Sequence, residues 1–161
     1  MKLIASFFYV GYLRPGPGTW GSLAALPAAW LLHALGGVWL LIIAGLVLFA
    51  AGHAATKKLI AGATDHDPSW IVVDEVMGMW LALLPVSYGA TAMGIDVLRL
   101  WPGILSAFVF FRLFDISKPW LVGRADRSGG AMGVMLDDVI AGVFAAIVTA
   151  VLAAIAHGVL M

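Results

Sequence analysis

Between Pro15 and Thr56 the chain contains no Asp, Glu, Lys or Arg. One straight helix over that stretch would extend roughly 60 Å at 1.5 Å per residue, about twice the hydrocarbon thickness of a bilayer. The segment therefore has to turn on itself, and ALGGVW at 34–39 is where adjacent glycines permit it. This predicts a first apolar helix near residues 22–35, containing Pro27, and a second near 38–53.

A chain that devotes so much length to apolar helix belongs in a membrane. Hydrophobic residues make up 63% of it, its mean hydropathy is +1.03, and only 11% of residues are charged. Soluble domains carry about a quarter. The 161 residues suit one membrane domain, 1–161, of a few short helices. The absence of cysteine excludes disulfides, thiolate metal sites and cysteine nucleophiles. MKLIASFFYVGYL at the start reads as a retained interfacial segment, because no small-residue cleavage site follows it. Nine acids balance nine bases, so net charge points to no partner, and no nucleic-acid partner is expected.

Three further apolar runs complete the expected fold. Val76 to Ile95 gives a third helix ending around LPVSYG, Trp101 to Phe114 a fourth, and Val139 to Met161 a fifth. The first and fourth fall short of the roughly 20 residues of an easy crossing, and would tilt, thin the bilayer or half-insert. The expectation is an all-α, polytopic membrane protein of about five apolar helices. If the five alternate, Lys2, Arg14, Lys57, Lys58, Arg112, Lys118, Arg124 and Arg127 share one side and Arg99 stands alone on the other. The positive-inside rule puts the first side in the cytoplasm. All acids but Asp96 fall on that side too, which no targeting rule requires.

Two stretches repeat one device. IVVDEVMG at 71–78 and VMLDDVIAG at 134–142 each set an acidic pair after apolar residues, with glycine about a turn later. Adjacent helical residues point about 100° apart, so each pair offers one carboxylate inward and one sideways. The glycine lets another backbone or a ligand come close. An isolated acid at a helix start is explained by the macrodipole. Two such pairs at one membrane edge, with Asp115 on a third helix, are better explained by a common ligand. Converging carboxylates repel one another and take up protons unless a cation is present. Oxygen-only sets suit magnesium or calcium, and magnesium commonly pairs with phosphate. Mg2+ is therefore the expected cofactor, held among Asp74, Glu75, Asp115, Asp137 and Asp138, which are also the candidate catalytic residues.

Cations supply the complementary half. Arg112, Lys118 and Arg127 flank Asp115 and the second acidic pair; arginine can fork two phosphate oxygens and lysine acts as a compact charge. Each could equally anchor the cytoplasmic edge, and Arg112, one turn before Asp115, could pair with that acid. In RPGPGTWGS at 14–22, glycines allow N–H groups to converge on an anion, and Thr19 and Ser22 add hydroxyls ahead of a helix. SGGAMG at 128–133 reads as a second flexible loop. Of the histidines, only His66 lies near acids; His33, His53 and His157 read as packed or interfacial. The tryptophans mark helix ends. Small residues in AGVFAAIVTA allow close helix contact, either inside the bundle or in a homo-oligomer.

DPSWIVVDEVMGMW at 67–80, FRLFDISKPW at 111–120 with GVMLDDVIAG at 133–142, and PGTWGSL at 17–23 together resemble the phosphatidylglycerophosphatase A family. The blocks stand in the family's order and touch most of the chain from 17 to 142. The sequence departs from the family pattern at Leu121, where a second proline is usual, and at Ala131 in the Gly-rich stretch. The resemblance implies a magnesium-requiring enzyme of the bacterial inner membrane. Its phospholipid substrate would be phosphatidylglycerophosphate, cut to phosphatidylglycerol. It also implies polar motif positions at Asp67, Asp74, Glu75, Asp115, Lys118, Asp137 and Asp138, with Thr19 and Ser22, and so adds Asp67 to the candidate metal ligands. A membrane transport protein with an acidic ion site is the alternative, since intramembrane acids often mark ion pathways; it predicts ionisable groups at mid-depth or on both faces.

Overall fold

A computed structural model describes residues 1–62 and 68–160. Every regular element among them is helical: α1 (Lys2–Ala5), α2 (Pro17–Ile60), α3 (Val73–Met93), α4 (Trp101–Ser117), α5 (Leu121–Asp126) and α6 (Gly130–Leu160), with 3-10 turns at Val10–Tyr12 and Val97–Leu100. Four helical stretches are long and apolar enough to cross a membrane. The chain is thus of the all-α membrane class that its composition requires.

The first of the four is a hairpin. Helical geometry breaks at Gly36 and Gly37, and Gly37, at φ 62° and ψ −156°, occupies a region essentially closed to other residues. Before the break, the first arm of α2 runs alongside α3: Trp80 Nε1 donates to the Ala25 carbonyl at 3.0 Å, and His33 Nδ1 lies 2.7 Å from Ser87 Oγ. After it, the second arm returns along α3, from Val38 N donating to Thr91 Oγ1 at 3.3 Å, past Met77 at Gly45, to Val73 at Gly52. The turn expected at 34–39 is where the chain reverses, and five apolar segments result.

Several boundaries differ from the sequence reading. The first arm starts at Pro17, not near 22, because proline suits the first helical position and Gly16 takes the left-handed conformation ahead of it. Thr19 and Ser22 therefore sit on helix, not in a loop. α3 runs through Pro85 to Met93 and stops at Gly94, whose left-handed backbone caps it. α4 continues to Ser117 and ends at Lys118, at φ 45°. α6 begins at Gly130, not Val139, so Gly130–Gly133 is helical, and Asp137 and Asp138 lie about two turns inside, not in the first turn.

α3 is the central helix: 56% of its most apolar stretch is buried, against 17–22% for the other three. Large side chains of α3 and α4 (Met79, Trp80, Leu83, Phe111) pack onto small ones of α2 and α6 (Ala25, Ala29, Ala141, Ala145). The closest approach is between α3 and α6. A Cβ on Gly142 would lie 3.0 Å from the backbone carbon atoms of Gly78, and one on Gly78 would lie 2.6 Å from the Asp138 carbonyl oxygen. Only paired glycines admit this crossing.

Candidate active site

The crossing fixes where the acids meet. Gly78 follows Asp74 by four residues and Gly142 follows Asp138 by four, so on each helix that acid stands one turn above the contact, on the same face. α3 and α6 both start at the polar end of the bundle, which puts the two acids at one depth. One carboxylate oxygen from each of Asp74, Glu75 and Asp138 falls within 4.8 Å of the others. Asp74 and Asp138 are buried, at 6% and 3% exposure, and Glu75 is half-buried. Asp74 Oδ1 accepts the Glu75 N–H at 3.1 Å. Glu75 Oε2 and Asp138 Oδ1 are buried without a hydrogen-bond partner among the described residues, an arrangement that polar groups rarely tolerate unless something else binds them.

Facing these carboxylates is Arg112, near the end of α4. It ion-pairs with Asp115 one turn on, and its guanidinium also reaches the first arm of α2, 3.4 Å from both Ser22 Oγ and Thr19 Oγ1. Sequence left open whether Arg112 pairs with Asp115 or points to a ligand; the geometry has it paired while its other donors span two helices. Its Nε is buried and unpartnered among the described residues. Asp115 itself lies close enough to interact electrostatically with both Glu75 and Asp138. Gly18 closes the site from the α2 side: a Cβ there would overlap the Glu75 carboxylate and stand 3.3 Å from Arg112 Nη1.

The second member of the α6 pair turns elsewhere. Asp137 Oδ1 accepts the Asp138 N–H at 3.0 Å, and Oδ2 accepts from Lys118 Nζ at 3.1 Å. Lys118 is also ion-paired with Asp126 of α5. Partial burial pulls the Lys118 pKa down, but the hydrogen bonds that it donates to Asp126 and Asp137 outweigh it, and the net shift is upward. The ammonium form is thereby held. Arg127 caps α5 on an exposed turn, its guanidinium against Gly123.

Six acids were expected as metal ligands. Three converge: Asp74, Glu75 and Asp138. Asp115 adjoins them but is tied to Arg112, and Asp137 is tied to Lys118. Asp67, with Asp65 and His66, lies outside the described residues. Of the expected phosphate contacts, Thr19, Ser22 and Arg112 come together, Lys118 belongs to the neighbouring Asp126–Asp137 cluster, and Arg127 lies apart at the surface. The glycines of RPGPGTWGS were expected to turn N–H groups towards an anion; Gly18 instead makes room, on helix, for the Glu75 carboxylate. The signal was present in its position one residue before Thr19, but which glycine of RPGPGTWGS touches the acids depends on where the helix starts.

Known proteins resemble this chain over most of its length. The family model described as phosphatidylglycerophosphatase A matches residues 3–153. A Haemophilus influenzae protein named phosphatidylglycerophosphatase A is 35% identical over 149 residues, covering 92% of this chain and 85% of its own length. An Escherichia coli protein of the same name is 36% identical over 152 residues, covering 89% of this chain and 78% of its own. A Bacteroides thetaiotaomicron protein, described only as a candidate phosphatidylinositol-3-phosphatase, is 36% identical over 153 residues, 92% of this chain and 91% of its own. No solved structure matches the chain significantly.

Proposed function

The chain belongs to the phosphatidylglycerophosphatase A family, and from that premise we propose that it hydrolyses the terminal phosphate of phosphatidylglycerophosphate, releasing phosphatidylglycerol and inorganic phosphate, with magnesium as cofactor. The reading rests chiefly on one observation: three carboxylates from α3 and α6 converge with two unpartnered buried oxygens, opposite an arginine flanked by hydroxyls. The residues fit the metal. They offer only hard oxygen donors, as magnesium prefers, and a divalent cation would relieve both the mutual repulsion of the acids and the orphaned oxygens. Asp74, Glu75 and Asp138 would hold it. When bound, it would supply Lewis-acid polarisation of a phosphoryl oxygen and neutralise negative charge.

The chain's own residues account for the remaining needs of the reaction. A phosphate monoester brings about two negative charges towards four carboxylates, which is unfavourable unless donors meet it. Arg112 and Thr19 provide donors beside the acid cluster, while Ser22, whose hydroxyl donates to the Gly18 carbonyl at 2.9 Å, accepts from Arg112 and holds it; charge developing on the transferred group is stabilised there. Asp115 keeps the guanidinium oriented. Attack by water on phosphorus breaks the P–O bond to the lipid glycerol. The water gives a proton to a carboxylate oxygen of the cluster, and that proton passes on to the departing oxygen, which becomes the glycerol hydroxyl and leaves the carboxylate as it began. Burial of Asp74 and Asp138 keeps bulk water from competing with these contacts.

The positive-inside pattern supports insertion in the bacterial inner membrane with this site towards the cytoplasm. The test is phosphate release by the purified protein in bilayers, from phosphatidylglycerophosphate and from phosphatidylinositol 3-phosphate, with magnesium and then with chelator. Release from the first substrate, abolished by chelator and lowered about 10²-fold or more in Asp74→Asn and Asp138→Asn, is expected. Release that survives chelator, or that is undiminished by either substitution, refutes the proposed metal site; turnover of the inositol lipid alone refutes the substrate.

A further inference from the structure

A groove on the lipid-facing side of the bundle remains without a role. It runs between the first arm of α2 and α4 as an open cleft of about 630 Å³, within the range of about 300–1,000 Å³ usual for small-molecule sites. Leu23, Pro27 and Trp30 form one wall, and Trp101, Leu105 and Phe108 the other. All but Phe108 are exposed, so the walls open towards the bilayer and not into the core. The groove has two unlike ends. At one, exposed Thr19 lies one turn before Leu23 on the same face of α2 and Arg112 one turn after Phe108 on α4, so the groove leads towards the Thr19–Arg112 contact. At the other, Trp30 of α2 and Trp101 of α4 line it. Between them the α2 wall alone rises about 10 Å.

We propose that this groove receives an acyl chain of the substrate, so that the lipid enters sideways between α2 and α4 with its terminal phosphate arriving at Arg112. The proposal builds on the phosphatase reading and adds the route and the chain-holding walls. The occupant follows from continuity: an apolar groove open to lipid leads towards an end where Arg112 and Thr19 offer polar donors, and the molecule that matches both in that order is a phospholipid ending in a phosphate monoester. Arg112 reaches from α4 to α2 at the very point where the headgroup would sit. Lipid tails are as apolar as leucine, so the groove gains little transfer free energy. It acts by orientation, holding the chain so that the phosphate comes to one depth, that of the buried carboxylates. The groove is thus a positioning element and not part of the chemistry.

Two readouts test this. Phosphatidylglycerophosphate with a photoactivatable group at an acyl terminus, and phosphatidylethanolamine with the same group, are irradiated with the wild-type protein in bilayers. Labelling concentrated in 23–30 and 98–108, stronger from the phosphate-terminated lipid, is expected. Equal labelling from both lipids, or label spread over outward residues of α6 such as Ile147, indicates ordinary surrounding lipid and overturns the proposal. Separately, Leu23→Trp and Leu105→Trp fill the groove. The ratio of kcat/KM for long-chain substrate to that for the deacylated headgroup should fall about tenfold or more, since a 1 Å misplacement can cost about 10²-fold. Ile147→Trp, on the exposed face of α6, should leave the ratio unchanged. A ratio unaltered by groove filling refutes the groove. Absence of turnover of both substrates by wild type refutes the phosphatase reading instead, while the labelling pattern still decides the groove.

Discussion

Adding one methyl group at Gly78 should disable the site while leaving the fold nearly intact. A Cβ there would stand 2.6 Å from the Asp138 carbonyl oxygen and 2.5 Å from Phe111 Cε2. Phe111 is fully buried, so neither neighbour can swing away. Bringing the carbonyl contact to 3.4 Å, where ordinary packing begins, moves α6 from α3 by about 0.8 Å. Asp74 and Asp138 sit one turn from that point, so their separation widens by a similar amount. A misplacement near 1 Å can cost about 10²-fold in rate, and a fall in kcat/KM on the order of 10- to 100-fold is expected. The stability change is smaller. Overpacking costs about 1–3 kcal/mol, offset by about 1 kcal/mol from alanine's better helix propensity, leaving a net loss of about 0–2 kcal/mol. Gly89→Ala is the control on the same helix: its nearest neighbour would be Leu100 Cδ1 at 3.6 Å, an ordinary contact. Initial rates of phosphate release in bilayers, with thermal unfolding of each variant, decide the matter. Wild-type kcat/KM in Gly78→Ala, or equal impairment in Gly89→Ala, would refute the claim that the glycine crossing sets the acid geometry.

Other perturbations separate the two acidic clusters. Asp138→Asn should lower kcat by about 10²–10³-fold, the range for loss of one preorganised electrostatic group, and raise the magnesium concentration for half-maximal rate; Asp137→Asn should chiefly lower Tm by releasing Lys118, and a reversed ranking would contradict the assignment. Arg112→Lys retains charge but cannot span Thr19, Ser22 and Asp115 at once; loss of one charge-assisted hydrogen bond, about 1.5–3 kcal/mol, should raise KM at least about tenfold, measured by steady-state titration of substrate. Because the Lys118 pKa is raised, its stabilising contribution is full below the ordinary lysine value of about 10.4 and is lost only as pH rises through the higher folded value. The Tm difference between wild type and Lys118→Met should therefore stay flat from about pH 8 to about pH 9, above the range in which the partner carboxylates titrate, and a decline within that window would show that Lys118 is not held as the ammonium.

What sequence conveyed was the class, the reversal at Gly36–Gly37 and the identity of the acid-bearing helices, because all three follow from local rules: an uncharged run too long to span once, two glycines, and acids amid apolar residues. It failed at helix starts. Pro17 and Gly130 each follow a glycine with positive φ, at +68° for Gly16 and +69° for Gly129, and glycine-rich stretches read as loop whether or not packing draws them into helix. That error hid the closeness of Gly18 to Glu75, since a loop gives no rotational register. Pairing was the other blind spot. Which cations neutralise Asp115 and Asp137 depends on the left-handed turn at Lys118 and the short α5 that follows, and neither has a periodic signature.

The same register shows why only one acid of the α6 pair faces the cluster. Counting back four from the glycine at the crossing gives Asp74 on α3 and Asp138 on α6; the extra acid follows on α3, as Glu75, but precedes on α6, as Asp137. With adjacent residues about 100° apart around a helix, those extra acids turn in opposite rotational senses from the shared face. Glu75 swings towards Gly18 and Arg112, staying within the cluster, while Asp137 swings towards Lys118 and Asp126. Two local sequences that look like copies of one device are thus used differently: one contributes both carboxylates to the candidate metal site, and the other contributes one there and spends its second in tying α6 to the α4–α5 turn. A site assembled in this way needs that tie, because Arg112 and Asp115 lie on α4 and keep their distance to Asp138 only while the end of α4 is held against α6.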